Sequence, residues 1–265
     1  MQRFLSILLF VALAACSASA RLGDLVASFD NVGASTHYGL AADAYYVYTF
    51  HYTPPYDIYR MLRTTGSFVS SYPCPLGTTG YDFYVRGLSY GGGVLLYINN
   101  YYQRRVGRFY NSTGSLISTW TWSTSMPYRY GICCTHDGTN YGSYIYQSYY
   151  DGNFWYSTTA GSLVSSFKIA ATYDTDLAWD YGNRMIWYPN YSTGYVYGIT
   201  TQGSILASWR VPSAVSYPYG IAYYGYYLYV STSSGTPDEY IWIYDCPGTV
   251  GLTPASVGKV KALFK

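Results

Sequence analysis

The residues able to do acid–base or metal chemistry are few and scattered. The 265-residue chain has three histidines, His37, His51 and His136, and Glu239 is its only glutamate. No H-E-x-x-H or G-x-S-x-G pattern occurs. A glycosidase needs two carboxylates facing each other across a cleft. Asp43, Asp137 and Asp180 instead stand at equivalent places after apolar segments, where an aspartate bonds its own backbone in a turn. Gly91-Gly92-Gly93 lacks the lysine and following helix of a phosphate loop. Arg104, Arg105 and Arg108 lie beside Tyr101 and Tyr102, a mixture that can bind single strands. A net charge of +2 argues instead for a solvated edge and against a nucleic-acid partner. No C-x-x-C occurs, and no metal or cofactor is implied.

Tyrosine is what the chain has in excess. There are 38, and they account for much of the 49% hydrophobic content, while charged residues make up only 11%. A tyrosine offers a flat apolar body with a polar tip and loses little entropy when immobilised. Such rings suit stacking on sugars or gripping polypeptide. They equally suit packing between strands while bonding neighbouring backbone.

The elements that position them are set by an internal repeat. Five segments share one pattern: GDLVASF from Gly23, GSFVSSY from Gly66, GSLISTW from Gly114, GSLVSSF from Gly161 and GSILASW from Gly203. Their glycines recur about every 45 residues. Each repeat holds three further short segments, rich in aromatic and β-branched residues and bounded by turn formers. A Gly-Leu or Gly-Ile step opens strand A: Gly39-Leu40, Gly87-Leu88, Gly131-Ile132 and Gly220-Ile221, with Asp176-Leu177 as the exception. An aromatic alternation forms strand B, a shorter run forms strand C, and the glycine-led pattern forms strand D. No segment beyond the first twenty residues has a helical period.

Four short strands per unit of about 45 residues is the period of a β-propeller blade. Tyr217-Pro218-Tyr219-Gly220-Ile221-Ala222 followed by Leu228-Tyr229-Val230 resembles the propeller repeats of the NHL and YVTN types. The resemblance is one of architecture and transfers no active site. The expected fold is all-β: a five-bladed propeller of four antiparallel strands per blade. The last blade lacks a good D strand of its own, so the N-terminal strand at residues 22–29 closes it.

In such a blade the D–A and B–C loops emerge on the same face. Tyr52, Tyr102, Tyr150 and Tyr191 fall at equivalent places in B–C loops. Tyr38, Arg86, Tyr130, Asp176 and Tyr219 fall at the start of strand A, near the axis. Two aromatic-rich circles are therefore expected on one face. Recurrence in every blade favours packing, so the members that break the repeat, Arg86 and Asp176, are the better ligand-binding candidates. His37, His51 and Asp151 join them as polar groups near that face.

Met1 to Ala20 has a single cation, an apolar run and a small-x-small site before Arg21, the plan of a secretory signal peptide. Leu13-Ala14-Ala15-Cys16 also resembles a lipobox, which would place a lipid anchor on Cys16. No other stretch approaches a spanning length. The expected organisation is a signal peptide at 1–20, the propeller at 21–252 and a basic tail at 253–265 that carries Lys259, Lys261 and Lys265. Export permits disulfides among Cys74, Cys133, Cys134 and Cys246. Adjacent Cys133 and Cys134 point to opposite faces of a strand and are poor partners for each other. Asn111-Ser112-Thr113 and Asn190-Tyr191-Ser192 are glycosylation sequons.

The function expected is non-catalytic binding of a glycan or protein partner through the tyrosine-rich face, in a secreted, periplasmic or surface location. An extracytoplasmic lyase or hydrolase with Asp and His at the central channel is the competing class. A structural subunit that self-associates, its tyrosine faces stacked disc on disc, is the third.

Overall fold

The computed structural model describes residues 22–31, 37–51, 57–74, 85–91, 95–100, 105–122, 129–136, 141–148, 151–158, 160–170, 175–212, 217–232 and 240–246. The N-terminal segment with Cys16, the tail, Asp137, Glu239, Tyr52, Tyr102 and Tyr150 lie outside the described residues.

Strand β1 is Leu25–Asp30. Blade I holds β2 (His37–Ala42), β3 (Tyr46–His51), β4 (Asp57–Leu62) and β5 (Phe68–Pro73). Blade II holds β6 (Val85–Gly91), β7 (Leu95–Asn100), β8 (Arg105–Tyr110) and β9 (Leu116–Thr121). Blade III holds β10 (Arg129–His136), β11 (Tyr141–Ser148), β12 (Asn153–Ser157) and β13 (Leu163–Lys168). Blade IV holds β14 (Ala178–Asp180), β15 (Met185–Asn190), β16 (Tyr195–Ile199) and β17 (Ile205–Arg210). Blade V holds β18 (Pro218–Tyr224), β19 (Tyr227–Thr232) and β20 (Tyr240–Asp245). These strands form five four-stranded antiparallel sheets, and β1 supplies the outer strand of blade V by pairing with β20. The innermost strands touch in a closed cycle, β2 to β6 to β10 to β14 to β18 and back to β2. Among the described residues no helix is long and apolar enough to cross a membrane.

One apolar core lies between each pair of neighbouring blades. Ala41, Tyr48 and Ile58 of blade I pack on Leu88 and Phe109 of blade II, and Ala178, Trp187 and Val196 of blade IV pack on Ile221, Leu228 and Val230 of blade V. Ala222, Tyr229 and Ile241 pack on Leu40, Val47 and Met61, which closes the ring between blades V and I. The four body cysteines are buried thiols divided among four of these cores: Cys246, Cys74, Cys134 and Cys133. That separation explains why none is bonded to another. It also puts Cys133 and Cys134 in different interfaces, as their opposite directions along β10 require. Burial pushes the Cys134 thiol up to about 12 from 9.0.

The repeated seven-residue pattern encodes a contact around the rim. Its leading glycines, Gly23, Gly66, Gly114, Gly161 and Gly203, all have φ between +70° and +86°. Each lies under the aromatic that ends the previous copy: a Cβ on Gly66 would stand 2.3 Å from Phe29, one on Gly114 2.4 Å from Tyr72, and one on Gly161 2.5 Å from Trp120. Phe167 covers Gly203 in the same way, and Trp209 covers Gly23, so the last copy meets the first.

Polar groups link the same neighbours. Asp43 caps its own turn, accepting from the N–H groups of Tyr45 and Tyr46, both at 2.8 Å, as its position in the repeat implies. Its other oxygen accepts from Tyr48 Oη at 2.6 Å and from Asn111 Nδ2 of blade II at 2.8 Å. Asp180 does likewise for Asn183 and Trp187 of its own blade and for the Cys246 thiol of blade V. Arg63 of blade I donates to Tyr229 Oη of blade V at 3.1 Å. Both sequon asparagines, Asn111 and Asn190, are buried.

The axis is closed by direct backbone contact. A Cβ on Gly39 would lie 2.8 Å from the Leu88 nitrogen, one on Gly87 2.6 Å from the Tyr130 oxygen, and one on Gly131 2.8 Å from the Asp176 carbonyl carbon. Asp176 therefore corrects the sequence reading. It stands at the place of the axial glycines, as the alignment of Asp176-Leu177 with the Gly-Leu step has it, and not with Tyr38, Arg86, Tyr130 and Tyr219 one residue earlier; it is fully buried. Thr175 takes the tyrosine position, and its hydroxyl donates to the Tyr219 carbonyl. Asp176 Oδ2 accepts from the N–H groups of Leu40 at 3.0 Å and Ile221 at 3.2 Å. One side chain of blade IV thus joins the inner strands of blades I and V.

Three outcomes follow from these contacts. Gly131→Ala should cost about 1–3 kcal/mol of stability by overpacking backbone. Gly182→Ala, whose Cβ would meet only Asp180 Oδ1 at 3.4 Å and Tyr223 Oη at 3.7 Å, should cost less in the same denaturant titration. Burial pushes the Asp176 carboxyl well above its ordinary 3.8, against the opposing pull of the N–H groups. The native chain then holds a proton that the unfolded chain has released, so the stability Asp176 contributes is full below 3.8 and declines as pH rises through the folded value. Asp176→Asn should flatten that decline in unfolding titrations run across pH. Asp176→Ala should be the worse variant by about 2 kcal/mol or more, because it strands the buried N–H groups of Leu40 and Ile221. The four body thiols should resist alkylation until the chain unfolds, as mass spectrometry would read directly.

Candidate functional site

Strand A begins on the face where the B–C turns also emerge, and the residues just before the axial position gather there. Tyr38 and Tyr219, from blades I and V, meet edge to face with centroids 5.1 Å apart. On the other side of Tyr38, the Arg86 guanidinium of blade II sits 4.1 Å from the Tyr38 ring and 4.9 Å from the Tyr130 ring of blade III. A cation over two aromatic faces is held by their ring quadrupoles. The chain of contact runs from blade III through II and I to V, and it stops at Thr175 of blade IV.

Blade IV adds to the arc from its B–C turn. Asn190 Oδ1 accepts from the Thr193 N–H at 3.0 Å, the Thr193 hydroxyl at 2.8 Å and the Ser192 hydroxyl at 3.0 Å. The Gly194 N–H closes the turn on the Asn190 carbonyl at 3.0 Å. This rigid turn presents Tyr191, which stacks on Tyr217 at 4.5 Å and leans on Tyr219 at 4.8 Å. Tyr217 is 40% exposed, and Tyr38, Tyr130, Tyr191, Tyr219 and Arg86 are half-buried. The result is a continuous arc of tyrosines, with one guanidinium set into it, around the axis on one face.

Of the residues singled out in the sequence, the structure brings together Tyr38, Arg86, Tyr130, Tyr191 and Tyr219. Asp176 lies beneath them in the axis, and Asp151 works within its own turn, accepting from the Asn153 N–H at 3.2 Å. His37 pairs with His51 in register across β2 and β3; their side chains, like Tyr52, Tyr102 and Tyr150, are outside the description. Tyr217 was not among the candidates. Its signal was available, since Tyr217 and Tyr219 are two apart at a strand start and point to one side.

On the other side of Asp176 the axis holds a cavity of about 40 Å³, lined by Ala41, Ser89, Ala178, Ala222 and neighbouring aromatics. That is room for a few waters, against the roughly 300 Å³ at which small-molecule pockets begin. Among the described residues no group of three or more His, Cys, Asp or Glu side chains is placed to hold a metal ion.

No protein-family model matches the sequence, and no curated protein matches it. Solved structures do match the fold. Glutaminyl cyclase from Myxococcus xanthus is 12% identical with a TM-score of 0.67, over 86% of this chain and 99% of that one. A nidogen/laminin complex is 16% identical with a TM-score of 0.51, over 75% and 73%. Virginiamycin B lyase from Staphylococcus aureus is 15% identical with a TM-score of 0.47, over 83% and 74%. At such identities the likeness carries the fold and no activity. The chain is a β-propeller, in keeping with the NHL- and YVTN-like character of its repeats.

Proposed function

We propose that the protein is a non-catalytic binding module, exported through its first twenty residues, that holds a glycan on the tyrosine arc at or outside the cell surface. The observation that carries the proposal is the unbroken contact from Tyr130 through Arg86, Tyr38 and Tyr219 to Tyr191 and Tyr217. Rings already held by neighbours and by a closed turn lose little freedom when a ligand settles on them. Tyrosine hydroxyls and the Arg86 guanidinium supply polar contacts at the edges of a stacking surface, the combination that a sugar ring with apolar faces and a polar rim requires. The low charge content of the chain suits a neutral or weakly charged ligand.

The test is a broad glycan array probed with the full chain beside a Tyr191→Ala, Tyr217→Ala double variant. These two rings lie at the edge of the arc, so the variant should keep the parent's melting temperature. Binding by the parent that weakens at least about tenfold in the variant, a loss of some 1.4 kcal/mol, is the expected result. A folded parent that binds no glycan would overturn the reading and turn attention to a protein ligand on the same face.

A further inference from the structure

Among the described residues, the two non-glycine residues in the left-handed region are Arg184 at φ 52° and Tyr226 at φ 71°. A bulky side chain there is strained, and such strain is kept where it displays a group. Arg184 lies in the turn between β14 and β15 and Tyr226 in the turn between β18 and β19, matching turns of blades IV and V. Both are exposed, so the fold buries neither side chain. These turns stand on the face opposite the tyrosine arc, and the axial cavity opens there. Its floor is apolar, made by Leu40, Leu88, Leu177 and Ile221, and Tyr181 and Tyr224 stand half-buried at its mouth. Arg63 of blade I reaches across to that mouth. Its guanidinium sits 5.0 Å from the Tyr224 ring and donates to Tyr229 Oη at 3.1 Å. Its backbone N–H bonds the carbonyl of Tyr45, which is 72% exposed. Burial raises the Tyr181 hydroxyl above its ordinary 10.0, and the nearby Tyr224, Tyr226 and Asp180 raise it further. Around the mouth the charge reaching the surface has one sign. Asp43 and Asp180 are buried and bonded inward, while Arg63 and Arg184 face outward. Asp24 and Asp245 stand further out, where β20 turns to meet β1.

We propose that this second face docks an acidic peptide segment of a protein partner, with one aliphatic side chain of that segment seated in the axial cavity. A cavity too small for a whole small molecule still holds the tip of one side chain. Its apolar floor would strand a sugar hydroxyl, so the occupant is not a second glycan. Tyrosine and arginine around a central pocket are the residues that carry most of the energy at protein interfaces. Arg63 is already fixed by Tyr224 and Tyr229, so it loses little freedom when a carboxylate settles on it. Guanidinium groups bind carboxylates with paired N–H bonds, which gives the two arginines their preference for an acidic segment. This site is separate from the arc and does not depend on the glycan reading.

Panning a phage-displayed library of random dodecapeptides on the full chain tests this, with the enriched peptides synthesised and titrated by calorimetry. They should share an aspartate or glutamate beside a leucine, isoleucine, valine or methionine. Glycine in place of that aliphatic residue should weaken binding at least about tenfold. Arg184→Gly with Tyr226→Gly removes both displayed side chains and leaves glycine in each left-handed turn, so this variant should melt no lower than the parent. It should also bind the peptides at least about tenfold more weakly. The Tyr191→Ala, Tyr217→Ala variant should bind them like the parent. A parent that enriches no peptide, enriched peptides without the acidic and aliphatic pair, binding that survives the loss of Arg184 and Tyr226, or binding lost with the arc tyrosines alone would each overturn the proposal.

Discussion

Everything in this molecule is arranged around inner strands that touch backbone to backbone. Gly39, Gly87 and Gly131 lie where any side chain would enter the next blade, so at their level the inner strands meet backbone to backbone. Strands brought this close present N–H groups to one another's edges, and buried donors need acceptors. The fourth blade supplies one. Asp176 replaces the glycine there, and its carboxyl accepts N–H groups from blades I and V. A ring of five identical glycine steps would have no acceptor at its centre. Breaking the repeat once provides it.

The rim solves the same problem of joining blades by a different contact. A glycine in the left-handed region turns the chain from C to D, and its bare face receives the closing aromatic of the blade before it. Between rim and axis, Asp43 and Asp180 join each own turn to the next blade through Asn111 and Cys246. Axis, rim and turn each make a contact between consecutive repeats, and at axis and rim the cycle includes the junction of last and first. No blade needs to be stable alone, the usual logic of repeat architectures. The cost is at the outer strands, whose free edges pair with no other strand among the described residues.

Much of this was legible because one residue type has one job. Position one of the repeat must be glycine and position seven aromatic, so both survive as a pattern that can be read by eye. The Gly-Leu step was equally plain and took in Asp176-Leu177, yet the side chain of Asp176 was grouped with Tyr38 and Tyr219, which stand one residue earlier in their repeats. An aspartate at a glycine site makes sense only once the neighbouring N–H groups are seen. The turn role of Asp43 was readable from its spacing, but its bond to Asn111 of the next blade was not, since 68 residues separate the two. The tyrosines were hardest, because the same side chain serves burial and display. Tyr48 and Tyr188 are fully buried while Tyr217 is 40% exposed, and nothing in their local sequence separates them.

The arc owes its shape to where the repeat fails. Five like tyrosines at the starts of strands A would form a ring with near five-fold symmetry, and a symmetric ring has no preferred place for an asymmetric ligand. Two substitutions remove that symmetry. Arg86 puts a charge between Tyr38 and Tyr130, and Thr175 removes a ring and ties blade IV to the Tyr219 carbonyl instead. Beside that gap, Tyr191 and Tyr217 stack and extend the surface outward from Tyr219. The arc therefore carries its charge toward blade III, between Tyr38 and Tyr130, and is purely aromatic between blades IV and V. A ligand that follows it is oriented as well as held. The gap at Thr175 is the same departure that sets Asp176 into the axis, so a single break in the fourth repeat both closes the propeller and gives its face a direction.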